Sequence, residues 1–438
     1  MKKIMNFLML CALVVAFTSC KNEIDDIFDK TATERIDEAL KSYNDILKSA
    51  PNGWIMYYYG ATQYGGYNVL VKFNDDATAT VANERIANGA SFPTETSHYK
   101  MVQSAGVVLS FDEYNSIFHY YSDPVNPEGI GTDGTGFDGD LEFRVISASA
   151  EEVVLMGKKT NRRIVMVPMP QNMGWDEYLN RIKAIEKDMT SANVVLTINA
   201  TDSIPTTTNS PYRRFSFTLT DEKGVVTTKT APYVVTLDGY KFYTSVDLKG
   251  KKVENFKYIP QAMIYPEADD ESVELRCIIP PINRQLVNSA WYVKKDDLSP
   301  VYIDKWLKMS YACWTNESEN IYYGFLGNMS TNAFGCCIRS GNYVCRATIS
   351  YTLVGDDEIK DLRVSAQDNN MKYYWTSCSM SEAVETFAAI SSDGTPKHFK
   401  LTTDFLKAPS WIRLVDQNNP DNVITLYSSA VNYPFGMR

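Results

Sequence analysis

From Trp54 onward the chain is a succession of short runs rich in β-branched and aromatic residues: "GWIMYYYG", "GGYNVLVKF", "TATVAN", "GVVLSFDEYNSIFHYYS", "DLEFRVISA", "EEVVLMGKK" and "RRIVMVPM". Clusters of Gly, Asn and Asp separate them, which is the punctuation of strands joined by tight turns. The period is two: Leu141, Phe143 and Val145 face one way, and Asp140, Glu142 and Arg144 the other. A strand with one greasy and one wet face needs a core on one side only, so the pattern predicts an antiparallel meander, curled into a barrel or packed as a sheet.

Two amphipathic helices flank this module. Thr31 and Glu34 make a capping box, and Ile36, Ala39, Leu40, Tyr43, Ile46 and Leu47 share a face until Pro51-Asn52-Gly53 ends the helix. Trp175, Tyr178, Leu179, Ile182, Ile185 and Met189 form the stripe of the second helix. The module spans 31–190. A second β-rich module is expected over 191–300, where "RRFSFTLTDEKGVVTTKT" echoes "VLVKFNDDATATVAN" in its layout of strand, acidic turn and Thr/Val strand. A third covers 301–438, with a short helical turn around Trp306, a helix opened by Ser379 and Glu382 as a capping box, and closing strands "SWIRLV" and "VITLYS". The fold class is mainly β with a few helices.

The amino terminus constrains location. Lys2 and Lys3 precede an apolar run from Ile4 to Phe17, interrupted at Asn6, too short to span a bilayer and shaped like an export signal. Phe17-Thr18-Ser19-Cys20 resembles a bacterial lipobox, which makes 1–19 the signal peptide and Cys20 the lipidated first mature residue. Several acyl chains in one anchor hold a protein stably on a membrane, where one chain is marginal. Residues 20–30, with Glu23, Asp25, Asp26 and Asp29, form an acidic tether that resembles a surface-export signal of Bacteroidetes lipoproteins. The expected location is the outer membrane, facing the cell surface.

The chain carries a formal charge of −10, and loss of Lys2 and Lys3 with the signal deepens it, so nucleic acid is not an expected partner. Cys277, Cys313, Cys336, Cys337, Cys345 and Cys378 all lie in the last two-fifths. An even set in an exported chain suggests disulfides whose pairing sequence cannot rank. Neighbours such as Cys336 and Cys337 each need a distant partner. A zinc site is disfavoured by the absence of paired C-x-x-C spacing and of nearby histidine.

Catalytic signatures are absent: the sequence has three histidines and no H-E-x-x-H, G-x-S-x-G or Walker-type loop. His119, in "IFHYYS", reads as a half-buried strand residue. "TDGTGFDGD" offers Asp133, Asp138 and Asp140 as oxygen ligands for a hard cation, although a glycine-rich hairpin loop explains the same letters better. Lys158, Lys159, Arg162 and Arg163 read as a solvated hairpin tip. Asp202-Ser203-Ile204, set in a Thr- and Asn-rich loop, resembles an O-glycosylation acceptor at Ser203. Trp54, Tyr57, Tyr58, Tyr59, Tyr64 and Tyr67 form an aromatic run that could line a groove for a peptide or glycan, against the alternative that tyrosine simply fills a β-rich core. No cofactor is implied.

The order "DDIFDKTATERIDEAL", "NGWIMYYYG", "GGYNVLVKFNDD", "VVLSFDEYN", "GKKTNRRIVMVPM" and "LDGYKFYTSVDLKGKKVENFKY", behind a lipobox, resembles Bacteroidetes lipoproteins classed as domain of unknown function 4302. The resemblance covers roughly residues 20 to 260 and carries no catalytic signature. It implies a cell-envelope lipoprotein associated with nutrient import of the SusC and SusD type, partnered by a TonB-dependent channel and a SusD-like lipoprotein. In "NDDATATV", Ala77 stands where a turn glycine would be natural. The expected function is a non-catalytic surface accessory that captures a peptide or glycan. The alternatives are an envelope hydrolase with an unrecognised carboxylate pair, and a purely structural or adhesion lipoprotein.

Overall fold

The computed structural model describes residues 31–437 except 127, 130, 132–133, 192, 209–211 and 331–332. Cys20, the signal and tether, and Asp133 therefore lie outside the described residues. The protein is mainly β, and its chain divides into two compact units, one running to Lys187 and including Thr208–Tyr258, the other comprising Asp188–Thr207 and Ile259–Arg438.

The first unit opens with helix α1 (Ala32–Ser49), whose start is the expected capping box: Glu34 N donates to Thr31 Oγ1 at 3.2 Å and Thr31 N to Glu34 Oε2 at 2.9 Å. Its end is tied to the sheet by Trp54, whose indole N–H donates to the Leu47 carbonyl at 2.7 Å. Then come β1 (Trp54–Tyr58), β2 (Tyr67–Phe73), β3 (Thr78–Asn83), β4 (Glu95–His98), β5 (Lys100–Gln103), β6 (Val107–Ser110), short helix α2 (Ser116–His119), β7 (Glu142–Ala148), β8 (Val153–Gly157), β9 (Arg163–Pro168) and helix α3 (Trp175–Met189). The nine strands form one sheet in the order β4-β3-β2-β1-β9-β8-β7-β6-β5. Every neighbouring pair is antiparallel. Its two edge strands, β4 and β5, are separated in sequence by Tyr99 alone, so the sheet curls until its edges meet, with Tyr99 buried at the seam. This is the curled meander that the period-two pattern predicts, with Phe143, Val153, Leu155, Ile164 and Met166 facing the same core as Trp54 and Val69. Ala77 takes the left-handed conformation, φ 61°, that a turn glycine would supply. The turn is held by Asn74 N donating to the Thr78 carbonyl at 2.8 Å.

Beyond α3, β10 (Val194–Ile198) and β11 (Asp202–Thr208) belong to the second unit, and β12 (Arg214–Thr220), β13 (Val226–Thr236), β14 (Gly239–Leu248) and β15 (Lys251–Lys257) to the first. The division into two units thus runs through the middle region. The expected strand, acidic turn, strand layout is present: β12 pairs with β13 across a turn in which Asp221 accepts from Lys223 N and Val225 N. Backbone bonds fix β13 onto the first sheet, Gly66 N donating to Tyr233 O at 2.9 Å.

In the second unit β16 (Ile264–Pro266) and β17 (Val273–Cys277) pair with each other, and β17 pairs with β10. Helix α4 (Ile282–Asn288) leads into a closed, all-antiparallel barrel. Its strands are β18 (Ala290–Leu298), β19 (Ile321–Met329), β20 (Ala333–Ser340), β21 (Tyr343–Val354), β22 (Glu358–Gln367), β23 (Lys397–Thr403), β24 (Trp411–Asp416) and β25 (Val423–Tyr427). Pairing of β18 with β25 closes the ring and removes both edges. Three helices are inserted: α5 (Pro300–Glu317), α6 (Asn369–Ser377) and α7 (Met380–Glu385). They pack Trp306, Met309, Met371, Met380 and Val384 into one apolar core with the inward-facing barrel residues.

Two helical expectations here need correction. The turn around Trp306 is a full helix of 18 residues, obscured in sequence because Tyr302, Trp306, Met309 and Cys313 are buried while Val301 and Tyr311 on other faces are also apolar. Ser379 does precede α7, but it adopts φ 54° and its side chain makes no cap bond, so the capping box there does not form. Among the described residues the six cysteines are unpaired, and all of them but Cys277 are buried. Cys336 and Cys337, adjacent in β20, point to opposite faces, the first into the barrel core and the second into a small outer cluster with Phe325 and Met329.

Candidate functional site

The residues expected to form an aromatic ligand surface are core. β1 sits in the middle of its sheet, and Trp54, Tyr58, Tyr59, Tyr64 and Tyr67 are all at least 95 % buried. Tyr58 donates to the Asp140 carbonyl at 2.9 Å and packs on Tyr121 with ring centroids 4.8 Å apart. Tyr67 donates to Tyr64 O at 2.9 Å, and Tyr59 meets Tyr243 edge-on at 4.8 Å. Only Tyr57 is half-buried, with Lys241 Nζ 5.9 Å above its ring, and burial pushes its hydroxyl up to about 12. The sheet is covered on both faces, so alternation along β1 does not lead to solvent.

The acidic loop is likewise an anchor. Asp140 is buried and its carboxylate accepts from Lys159 N at 2.7 Å, Thr160 N at 3.0 Å and the Thr160 hydroxyl, which occupies it within the protein. Asp138 pairs with Lys159 Nζ at 2.7 Å. Among the described residues no group of three or more His, Cys, Asp or Glu side chains is placed to hold a metal. Lys158 and Lys159 stand on the exposed tip between β8 and β9, as expected, with Lys158 3.0 Å from Glu142. Ser203 is exposed but lies in β11, opposite Thr197, and not in a loop.

A cavity of about 750 Å³ opens in the first unit between the segment after β3 and the segment around α2. Its volume falls in the range of small-ligand sites. Asn115 builds one wall. Its side-chain oxygen accepts from Ile117 N at 3.1 Å and Phe118 N at 3.0 Å, capping α2, while its amide reaches Ser97 Oγ at 3.2 Å on β4. Ile117 and Phe118 are buried below, which fixes Tyr114 and His119 at the mouth. Tyr114 is 69 % exposed and its ring lies on the His119 imidazole, centroids 4.7 Å apart. His119 Nδ1 lies 2.9 Å from Asn115 O. His119 is therefore helical, contrary to the strand expected, because the Asn115 cap diverts the chain.

The opposite wall is Arg85. Asn83, buried, accepts from Arg85 N at 2.8 Å and donates to Ile117 O at 2.7 Å, so one side chain sets the separation of the two walls. The Arg85 guanidinium pairs with Glu128 and sits 5.4 Å over the Tyr67 ring. Burial, in the first place, raises the Tyr120 hydroxyl above its ordinary value, so it stays protonated. Asp123, Ser116 and Ser122 complete the polar lining. The glycine-rich loop supports this wall from behind: Gly136, φ 52°, lies so close that a Cβ would come within 2.1 Å of the Asp123 carbonyl. The cavity thus combines an exposed aromatic shelf with a guanidinium, carboxylates and hydroxyls. Sequence reading passed over Arg85, Tyr114, Tyr120 and Glu128. The aromatic density of "DEYNSIFHYYS" was the available signal, hidden by its reading as strand.

Deeper in the unit, Arg213 bridges two acids, its Nη1 2.5 Å from Glu84 Oε1 and its Nε 2.7 Å from Glu186 Oε1. Glu84 also accepts from Asn68 N at 2.6 Å, and Asn68 accepts from Tyr178 at 3.0 Å. This buried network joins the end of β3 to α3 and β12, and Glu84 immediately precedes Arg85 of the cavity.

The model of the family described as domain of unknown function DUF4302 matches residues 24–260, more than half of the chain. No curated protein matches the sequence. Among solved structures, isotype 1 transferrin binding protein B from serogroup B Neisseria meningitidis aligns at 8 % identity over 84 % of this chain and 65 % of that one, with a TM-score of 0.13. A double mutant of transferrin binding protein B from Haemophilus parasuis aligns at 7 % identity over 84 % and 66 %, with a TM-score of 0.12. The chain spans slightly less than two thirds of those proteins, and TM-scores of this size do not establish a shared fold.

Proposed function

Starting from this chain's membership of the DUF4302 family, we propose that it is a lipid-anchored, non-catalytic envelope protein that holds a glycan in the Tyr114–Arg85 cavity, as an accessory of an outer-membrane import system. The observation that carries the reading is the cavity's composition. An exposed tyrosine ring offers a flat apolar face to the C–H face of a sugar, and Arg85, Glu128, Asp123 and the serine hydroxyls offer donors and acceptors to its hydroxyl groups. The anchor at Cys20, outer-membrane surface display, and a TonB-dependent channel with a SusD-like lipoprotein as partners are part of the proposal. They are supported by the lipobox-like segment and the family.

Two experiments test it. A carboxyl-terminal tag and gentle solubilisation of outer membranes, followed by mass spectrometry, should recover the protein with a TonB-dependent channel and a SusD-like lipoprotein. Recovery alone removes the importer role. Incubation of the purified chain with oligosaccharides should return them intact. Release of new reducing ends would instead favour the hydrolase reading, for which Asp123 and Glu128 in the same cavity would be the first residues to replace.

A further inference from the structure

The charges and hydrogen bonds around the Tyr114–Arg85 cavity narrow what it can hold, once it is taken as a glycan site. Its lining contains one arginine and no lysine. That arginine is already engaged, since the Arg85 guanidinium pairs with Glu128 and lies 5.4 Å over the Tyr67 ring. Asp123 has no such partner. Its Oδ1 accepts from Val125 N at 2.8 Å, a bond within its own loop, and among the described residues no cation pairs with its carboxylate.

The hydroxyls are biased in the same direction. Ser116 donates its hydroxyl hydrogen to Glu95, and Ser122 donates its own to the His119 carbonyl at 3.1 Å, so both oxygens keep only lone pairs for a ligand. Glu95 also accepts from Ser116 N at 2.9 Å, which sets a further carboxylate behind that wall. Tyr120, 6 % exposed, lines the same cavity, and its hydroxyl has no hydrogen-bond partner among the described residues. Buried hydroxyls are almost always paired, so one left open beside a cavity points to a ligand that completes it. The cavity therefore accepts more hydrogen bonds than it donates, and its acids outnumber its free cations.

We propose that the cavity selects a glycan carrying a free amine, a 2-amino-2-deoxy sugar unit whose ammonium is bound by Asp123 while its ring packs on Tyr114. This inference rests on the reading of the cavity as a glycan site. An ammonium brings three donors and a positive charge to a surface of acceptors, and the face of an exposed tyrosine ring attracts a cation as well as a sugar. A uronic acid meets repulsion from Asp123 and Glu128. A neutral or N-acetylated sugar leaves the Asp123 charge unmatched.

The purified chain is titrated in a calorimeter, at one low ionic strength, with a glucosamine tetrasaccharide, its fully N-acetylated counterpart, a neutral glucose tetrasaccharide and a galacturonic acid tetrasaccharide. The free-amine sugar should bind roughly tenfold or more tighter than the N-acetylated one, the size of one charge-assisted hydrogen bond. The galacturonate should bind weakest. Asp123→Asn keeps an acceptor for Val125 N and removes the charge, so it should erase most of the tenfold ratio, and added salt should narrow that ratio in the unaltered chain. Equal or tighter binding of the acetylated, neutral or acidic sugar overturns the amine assignment and leaves the glycan site standing. A ratio unchanged in Asp123→Asn overturns it too. Binding of none of the four removes the glycan site and this inference with it.

Discussion

The two units differ in the ionic groups they bury beside their apolar cores, a triad at Arg213 in the first and the Lys397–Asp416 pair in the second. The barrel closes on itself and fills its interior with aliphatic, aromatic and sulfur side chains: Trp306 stacks on Phe435 at 5.4 Å and lies against Gly324, where a Cβ would come within 2.6 Å of its ring. The curled sheet of the first unit also buries an ion triad, an asparagine and the partnered hydroxyls of Tyr58, Tyr67 and Tyr178. Apolar packing is tolerant of direction and gives a stable body. A buried polar network works only in one arrangement, since each group must find its bond. Here that arrangement ends in Asn83 and Arg85, the residues that shape the cavity. On the proposed function, recognition belongs to the sheet, where the cavity lies.

The sharpest way to break this comparison is Arg213→Met. It leaves Glu84, 2 % exposed, without its charge partner, and should destabilise the first unit by about 3–5 kcal/mol. Hydrogen exchange read peptide by peptide should show the loss in β1–β9 and leave β18–β25 unchanged. Equal loss in both would mean that the units do not differ as described. Next in size, Gly324→Val forces a side chain against Trp306 and should cost about 1–3 kcal/mol in the barrel alone. The check is the same measurement, with protection falling in β19 and not in β2.

Acid should weaken the first unit at Glu186. Burial alone would raise the Glu186 carboxyl, but the Arg213 guanidinium outweighs it and holds the group below its usual range. A carboxyl lowered in the folded state contributes stability that is fully present above its unfolded value and is lost as pH falls through the folded one. The first unit should therefore lose protection as pH drops below the ordinary glutamate range, and Glu186→Gln should flatten that dependence. The smallest effect is at the entrance: Thr31→Ala removes the cap of α1 and should cost about 1 kcal/mol, seen as faster exchange confined to that helix's first turn.

What the sequence disclosed follows the same division. Local rules were legible: the Thr31–Glu34 box, the left-handed Ala77, and the alternation of Leu141, Phe143 and Val145 all reflect interactions within a few residues. The face proposed for recognition was not. Trp54 and its tyrosine neighbours look like a binding strip until β9 and β2 are placed on either side of β1, a pairing made with residues far along the chain. Arg85 and Tyr114 carry no motif and become neighbours only through Asn83 and Asn115, whose roles are long-range hydrogen bonds. Helix α5 escaped because Val301 and Tyr311 on its exposed side are apolar too and blur the amphipathic stripe.

The claim that recognition sits at the Tyr114 shelf is tested most directly by titrating the mature chain and its Tyr114→Ala variant with a panel of soluble oligosaccharides in a calorimeter. Tyr114 is exposed and outside the core, so the variant should keep the wild-type circular dichroism and melting. The account predicts saturable binding of at least one glycan by the wild type and a loss of roughly tenfold or more in the variant. Binding that is undiminished in Tyr114→Ala, or no binding by the wild type to any member of the panel, would contradict it.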